Sequence, residues 1–171
     1  GLDAGKTIVG LEPSCTLMFR DEVVNLIPEW TEQHGAQILT FSEYILQNPP
    51  AGLNMSGLDV LVHGHCHQKS MGVAQHTVNA VKSVLGANAK MIDSSCCGMA
   101  GSFGYQAETA DVSRQMAELS LAPTVRAAPA DTVVLADGFS CRCQIKDVTE
   151  RTAMNLASLM DKALQYHGTN I

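Results

Sequence analysis

The sequence predicts an α/β fold: an open, mostly parallel sheet of about five strands with helices on both faces. Two observations carry this. Short runs rich in Val, Ile and Leu alternate along the chain with segments of helical spacing, the order that right-handed strand–helix–strand crossovers produce. The runs also lack the apolar–polar alternation of a sheet with one wet face, so both faces of each strand are expected to be covered. The 171 residues, 46% hydrophobic and 16% charged, suit a single globular domain.

The expected strands are Thr7–Leu11 (TIVGL), Gln37–Phe41 (QILTF), Leu58–Val62 (LDVLV), Ala89–Asp93 (AKMID) and Thr132–Ala136 (TVVLA). Leu17–Ile27 reads as a helix, with Arg20, Asp21 and Glu22 as a solvated first turn, and Glu43–Leu46 as a short helix at most. Val73–Leu85 places Val73, Thr77, Val81 and Val84 along one side of a helix. Ala107–Leu121 and Val148–Tyr166 are expected to be the longest helices, the latter with Ala153, Leu156, Leu159, Met160, Ala163 and Leu164 as its apolar stripe. Asn48–Gly52 and Pro123–Asp131 read as loops, neither long nor polar enough to link two domains. Residues 1–171 are therefore read as one domain. The chain opens on Gly1 without a secretory signal, and we read it as a piece of a longer protein.

Composition excludes several functions. The net charge is −6 with scattered Lys and Arg, which opposes a nucleic-acid surface or a polybasic membrane anchor. Aromatics are only 5%, too few for a base-stacking platform. No segment approaches the ~20 apolar residues of a membrane helix. Gly1–Thr7 imitates a phosphate loop but lacks one residue between its glycines and precedes a strand. The glycines Gly98, Gly101 and Gly104 are three apart, not in dinucleotide-binding spacing.

The six cysteines carry the chemistry: Cys15, Cys66, Cys96, Cys97, Cys141 and Cys143. Neighbouring Cys96 and Cys97 have Cα atoms only ~3.8 Å apart, which suits two thiolates aimed at one centre better than two bridges. The domain is also large enough to need no disulfide staples, so a reducing, cytoplasmic compartment is expected. Cys15 follows the first strand, Cys66 the third, Cys96 and Cys97 the fourth, and Cys141 the fifth. In a parallel sheet those carboxyl ends share one edge, where open α/β folds bind ligands. Convergent thiolates need positive compensation. Amides freed by Gly98, Gly101 and Gly104 can donate to sulfur, and Arg142 and Lys69 stand beside Cys141 and Cys66. His63, His65 and His67 alternate on what reads as an extended segment, and are taken as hydrogen-bond partners of sulfur more than as ligands. A thiophilic centre follows. Zinc and iron–sulfur both suit four sulfurs, while five candidates exceed what tetrahedral zinc needs.

The blocks LEPSCTLMFRDE (11–22), HGHCHQKS (63–70), DSSCCGMAGSFGY (93–105) and ADGFSCRCQI (136–145) together resemble the cysteine-rich CCG domain. The likeness is to the copy at the C-terminus of FAD-linked oxidases of the D-lactate or D-2-hydroxyglutarate dehydrogenase type. Related domains occur in the iron–sulfur subunits of glycolate oxidase and anaerobic glycerol-3-phosphate dehydrogenase, and in the cysteine-rich subunit of heterodisulfide reductase. The resemblance implies an iron–sulfur cluster, of 4Fe-4S type, that relays electrons from FAD in the parent protein to a quinone or another carrier. It implies flavin-binding and ferredoxin-like modules as partners and a place in the cytoplasm, including the inner face of the cytoplasmic membrane. Cys66, Cys96, Cys97 and Cys141 fall on ligand positions, and Cys15 on the cysteine of the upstream block. Gly98, Gly101, Arg142 and His65 are the expected non-cysteine contacts of the cofactor. The family pattern closes with C-x-x-C, and here Gly138 takes its first position, so Cys143 is the open question. The fragment alone is not expected to be catalytic, and an isolated piece can carry zinc instead. Two other readings stay open: a structural zinc-binding interaction domain, and thiol–disulfide chemistry at Cys96 and Cys97.

Overall fold

The structure, a computed structural model, describes residues 5–168, with side chains described to residue 165. The first four residues of the phosphate-loop imitation lie outside the described residues, as does the side chain of His167, which reads from the sequence as a surface residue. The fold is parallel α/β as expected, with its strands divided between two sheets. Among the described residues, strands β1 (Ile8–Gly10) and β2 (Ile38–Thr40) pair only with each other. Strands β3 (Asp59–His63), β4 (Asn88–Met91), β5 (Val133–Ala136) and β6 (Ala153–Met154) form a parallel sheet in the order β4-β3-β5-β6. Val60 stands opposite both Ala89 and Val133, and His63 opposite Ala136.

Alternating residues send the central strands into two cores. Val60 and Val62 of β3 and Leu135 of β5 pack with Val78, Val81, Leu85, Leu156 and Leu159 on one face. Val134 and Ala136 of β5 pack with Ile92, Leu121, Val125 and Ile145 on the other, together with Cys97 and Cys141. Burying each large aliphatic side chain stabilises the fold by about 1.5–3 kcal/mol. Two of the thiols are therefore rooted in a core.

Helices α4 (Phe41–Gln47), α6 (Gln75–Leu85) and α10 (Leu156–Gly168) contribute to the first core; α8 (Leu121–Ala127) and α9 (Phe139–Thr149) contribute to the second. Helix α4 begins with a reciprocal cap, in which Thr40 N donates to Glu43 Oε2 at 2.8 Å and Glu43 N to Thr40 Oγ1 at 3.4 Å. Helix α6 stops at Gly86, whose φ of 66° is left-handed.

Three expected helices are broken, each where a side chain bonds to something distant in sequence. The first becomes α1 (Pro13–Leu17) and α2 (Glu22–Leu26), with Arg20 between them turned inward onto Glu43 at 2.9 Å. Arg20 is thus not part of a solvated turn: its guanidinium also donates to Ile38 O at the edge of β2. The second divides into α7 (Ala110–Glu118) and α8, and Ser120 at the break donates to Asp93 O. Pro123, expected in a loop, lies in the first turn of α8, where its missing N–H has no helical partner to lose. The third contains the end of α9, strand β6 and α10. Glu150 ends α9 at φ 60°, and Arg151 donates to the Ala128 and Thr132 carbonyls at 3.1 and 2.5 Å. Two further short helices, α3 (Glu32–Ala36) and α5 (Cys66–Ser70), carry too little periodicity to be read from sequence. Partly buried His34 caps α3, its Nδ1 3.1 Å from Thr31 N, and His76 lies on α6 at 3.8 Å from Glu43.

Candidate metal centre

Strands β4, β3 and β5 are parallel neighbours, so the segments leaving their carboxyl ends meet. Cys66 opens α5 after β3, Cys96 and Cys97 lie in the loop after β4, and Cys141 lies in the first turn of α9 after β5. All six cysteines are free. Four of them make an unbroken chain of thiol contacts, Cys66 to Cys96, Cys96 to Cys97, and Cys97 to Cys141. The chain runs from the partly buried rim at Cys66 and Cys96 to the interior, where Cys97 and Cys141 are only 2% and 1% exposed.

Charge alternates along this chain. The hydrogen bond from Cys66, then that from Cys97, holds Cys96 far below the usual thiol pKa despite partial burial. Gly98 N–H assists, donating to Cys96 Sγ at 3.3 Å. Cys66 is pushed up by its bond to Cys96 and by burial, and Cys97 by its bonds to Cys141 and Cys96 and by burial. The bond from Cys97 lowers Cys141 to about 5, against burial and with help from the adjacent His63 ring. Two thiolates alternating with two thiols are what a crowded sulfur basin tolerates without a cation, since like charges disfavour each other's ionisation. A bound cation removes that limit, because a coordinating thiol is deprotonated.

The Cys-Cys-Gly loop supplies amides. Gly98 has φ 92°, and its N–H and the Met99 N–H donate to the sulfurs of Cys96 and Cys97. Met99 itself is buried in the second core. Gly101, at φ 66° with open space around its Cα, serves the turn that follows. Lys69 Nζ donates to Ser95 O at 2.8 Å and to Ser94 O. Burial lowers the pKa of Lys69 while the charge of the cysteine cluster, Cys66, Cys141 and Cys96 first, pulls it up.

The three alternating histidines do not share a face, because β3 ends at His63 and α5 starts at Cys66. His63 is 1% exposed, with Nδ1 2.9 Å from Ser94 Oγ and, among the described residues, Nε2 without a hydrogen-bond partner of ordinary length and angle. One of its ring nitrogens and the sulfurs of Cys97 and Cys141 all lie within 4.8 Å of one another. His65 caps α5, Nδ1 accepting from His67 N at 3.2 Å, and electrostatically lowers the Cys141 pKa. His67 turns away to Asp21 at 3.3 Å.

Cys15 is exposed on α1. Its loop does reach the same edge: Glu12 Oε2 accepts from Phe139 N at 2.8 Å, at the start of α9. Cys143 contacts the Tyr105 hydroxyl, apart from the four-thiol chain. Arg142 points at backbone, donating to Ala136 O at 3.0 Å and Asp137 O at 2.5 Å, and so holds the turn that carries Cys141. A Cβ on Gly138 would lie 2.5 Å from His65 Cδ2 and 3.1 Å from Cys141 Sγ. The His65 ring therefore occupies the space beside this position.

Asp137 is a residue that sequence reasoning missed. Its carboxylate accepts from Thr77 Oγ1 at 2.8 Å, Gln68 Nε2 at 3.3 Å and Leu156 N at 3.0 Å. Gln68 Oε1 in turn accepts from His65 N at 3.0 Å. The network fixes the segment bearing Cys66 against the one bearing Cys141. Its only sequence signal was an acidic residue directly at the end of a buried strand.

The CCG cysteine-rich domain family matches residues 60–146, which include all four touching thiols. The chain is 28% identical to D-2-hydroxyglutarate dehydrogenase of Pseudomonas putida, over 96% of this chain and 16% of that protein. It is 30% identical to D-2-hydroxyglutarate dehydrogenase of Escherichia coli, over 84% of this chain and 14% of the relative. Identity to one subunit of the anaerobic glycerol-3-phosphate dehydrogenase of Escherichia coli is 26%, over 94% of this chain and 41% of that polypeptide. The chain thus spans less than half the length of each of these relatives. No solved structure matches it significantly. The matched segment covers just over half of the chain and holds the whole thiol basin, and the chain belongs to the CCG cysteine-rich domain family.

Proposed function

We propose that this domain is the C-terminal electron-transfer module of a larger FAD-linked 2-hydroxyacid dehydrogenase, acting on a substrate such as D-lactate or D-2-hydroxyglutarate. In this reading it holds an iron–sulfur cluster of the four-iron type between flavin and a quinone or another carrier. The observation that carries the reading is the unbroken contact of Cys66, Cys96, Cys97 and Cys141, gathered from three strand ends. The dehydrogenase names of the relatives support the parent activity. A bound cluster supplies one-electron chemistry; the chain tunes it. The four cysteines bind iron. The Gly98 and Met99 amides donate to ligand sulfur, and burial of Cys97 and Cys141 keeps water from the inner side. Lys69 offsets thiolate charge at the rim. The partly buried edge at Cys66 and Cys96 is where flavin-binding and ferredoxin-like modules would approach. Cys15, exposed on α1, is the further ligand of this reading.

A structural zinc site has one observation in its favour, the compact group of His63, Cys97 and Cys141, nitrogen and sulfur donors of the kind zinc takes. Function is tested by reconstituting the chain with iron and sulfide without oxygen. The relay reading expects visible absorption that bleaches with dithionite and returns on adding an oxidised quinone. A colourless protein under the same conditions contradicts it.

A further inference from the structure

We infer that His63 is a nitrogen ligand of the metal centre, completing through Nε2 the donor set that the four cysteines begin. The inference rests on the basin being a metal site, as proposed above. Three features of the chain point to it. First, His63 is almost fully buried and, among the described residues, its Nε2 has no hydrogen-bond partner of ordinary length and angle. Leaving a buried polar atom unpaired is costly, and a metal in the basin removes that cost. Second, Ser94 Oγ lies 2.9 Å from Nδ1. With Nδ1–H donating to that hydroxyl, the lone pair rests on Nε2, the arrangement in which histidines bind metals. Third, the ring shares a sphere of 4.8 Å with the sulfurs of Cys97 and Cys141, the two innermost thiols.

The sequence leaves room for such a donor. Gly138 holds the first position of the closing pair, and the His65 ring fills the space where a Cβ would go. No thiolate can come from there without displacing His65. His63 stands at the end of β3, opposite Ala136 and thus beside the same β5–α9 turn. A nitrogen donor from β3 supplies from the neighbouring strand what the turn after β5 lacks. Imidazole in place of thiolate removes a negative charge, which raises the potential of an iron–sulfur centre.

The test labels histidine with nitrogen-15 and reads the reduced, reconstituted chain by pulsed electron paramagnetic resonance. A strong nitrogen coupling of the directly bound kind is expected in the unchanged chain. It should vanish in His63→Ala and in His63→Cys, the latter keeping its iron and shifting to a lower midpoint potential. Full iron and sulfide with no such coupling overturns the inference while leaving the cluster reading intact. If no cluster assembles, that reading fails, and the ligand is then read with cobalt(II) alone. A cobalt absorption spectrum that changes between the unchanged chain and His63→Cys, at equal metal content, supports His63 as ligand. An identical spectrum overturns it.

Discussion

The carbonyl oxygen of Ser113 lies 2.2 Å from the point where a Cβ on Gly98 would stand. Helix α7 is thereby pressed against the Cys-Cys-Gly loop at a spot where only glycine fits. Gln144 reinforces the contact from α9, donating from Nε2 to Ser113 Oγ at 2.9 Å and to Ser113 O at 3.0 Å. The loop that aims Cys96 and Cys97 is thus wedged between two helices.

Gly98→Ala is expected to be costly for two reasons. The left-handed φ of 92° is unfavourable for an L-residue by about 1–2 kcal/mol, and the added methyl meets backbone, which has little room to yield. A loss above roughly 2 kcal/mol lowers Tm by at least about 4 °C in a domain of this size. Thermal melts and metal content of the purified variant check it. Unchanged values on both would show that the loop relaxes freely.

Gly138 and His65 should couple. Gly138→Ala alone forces the His65 ring aside, whereas in His65→Ala with Gly138→Ala that closest obstacle is gone and only the 3.1 Å approach to Cys141 Sγ remains. A double-mutant cycle in urea is expected to give an interaction of about 0.5–3 kcal/mol, with the double variant more stable than additivity predicts. Simple additivity would mean that the two side chains do not compete for this space.

Asp137→Ala removes the acceptor for Thr77, Gln68 and the first amide of α10. Hydrogen bonds to a charged group contribute about 1.5–3 kcal/mol each before relaxation. A destabilisation of about 3 kcal/mol is expected in urea, with Asp137→Asn intermediate because it keeps one acceptor oxygen. Loss of under about 0.5 kcal/mol in Asp137→Ala would deny the network its role.

Glu43 gives the pH dependence. Burial raises its pKa, but the hydrogen bonds from Arg20 and Thr40 and the Arg20 charge outweigh burial and hold it below its usual value. A carboxylate with a depressed folded pKa contributes stability above its unfolded pKa, about 4.3, and that contribution is lost as pH falls through the folded value. Tm should therefore drop on acidification below about pH 4.3 more steeply in the unchanged chain than in Glu43→Gln. Parallel curves would place the acid sensitivity elsewhere.

The sequence made the site more legible than the path of the chain. Strand–helix alternation put Cys66, Cys96, Cys97 and Cys141 at strand ends, and parallel pairing brings all of them to one edge. The breaks at Arg20, Ser120 and Glu150 were hidden because apolar spacing continues across them. Their causes are bonds to Glu43, to Asp93 O and, through Arg151, to the Thr132 carbonyl, partners 19 to 27 residues away that no local pattern reveals. The separation of β1 and β2 from the larger sheet was hidden too, since three-residue strands pair in either arrangement with the same apolar pattern. His63, His65 and His67 looked equivalent until the strand end at His63 sent them to different partners.

The most direct test of the account is the content of iron, zinc and acid-labile sulfide per chain, purified without oxygen, beside the variant carrying Cys96→Ser and Cys97→Ser. The account predicts iron and sulfide together in the unchanged chain and neither in the variant. Stoichiometric zinc without sulfide, persisting after anaerobic reconstitution with iron, would contradict it.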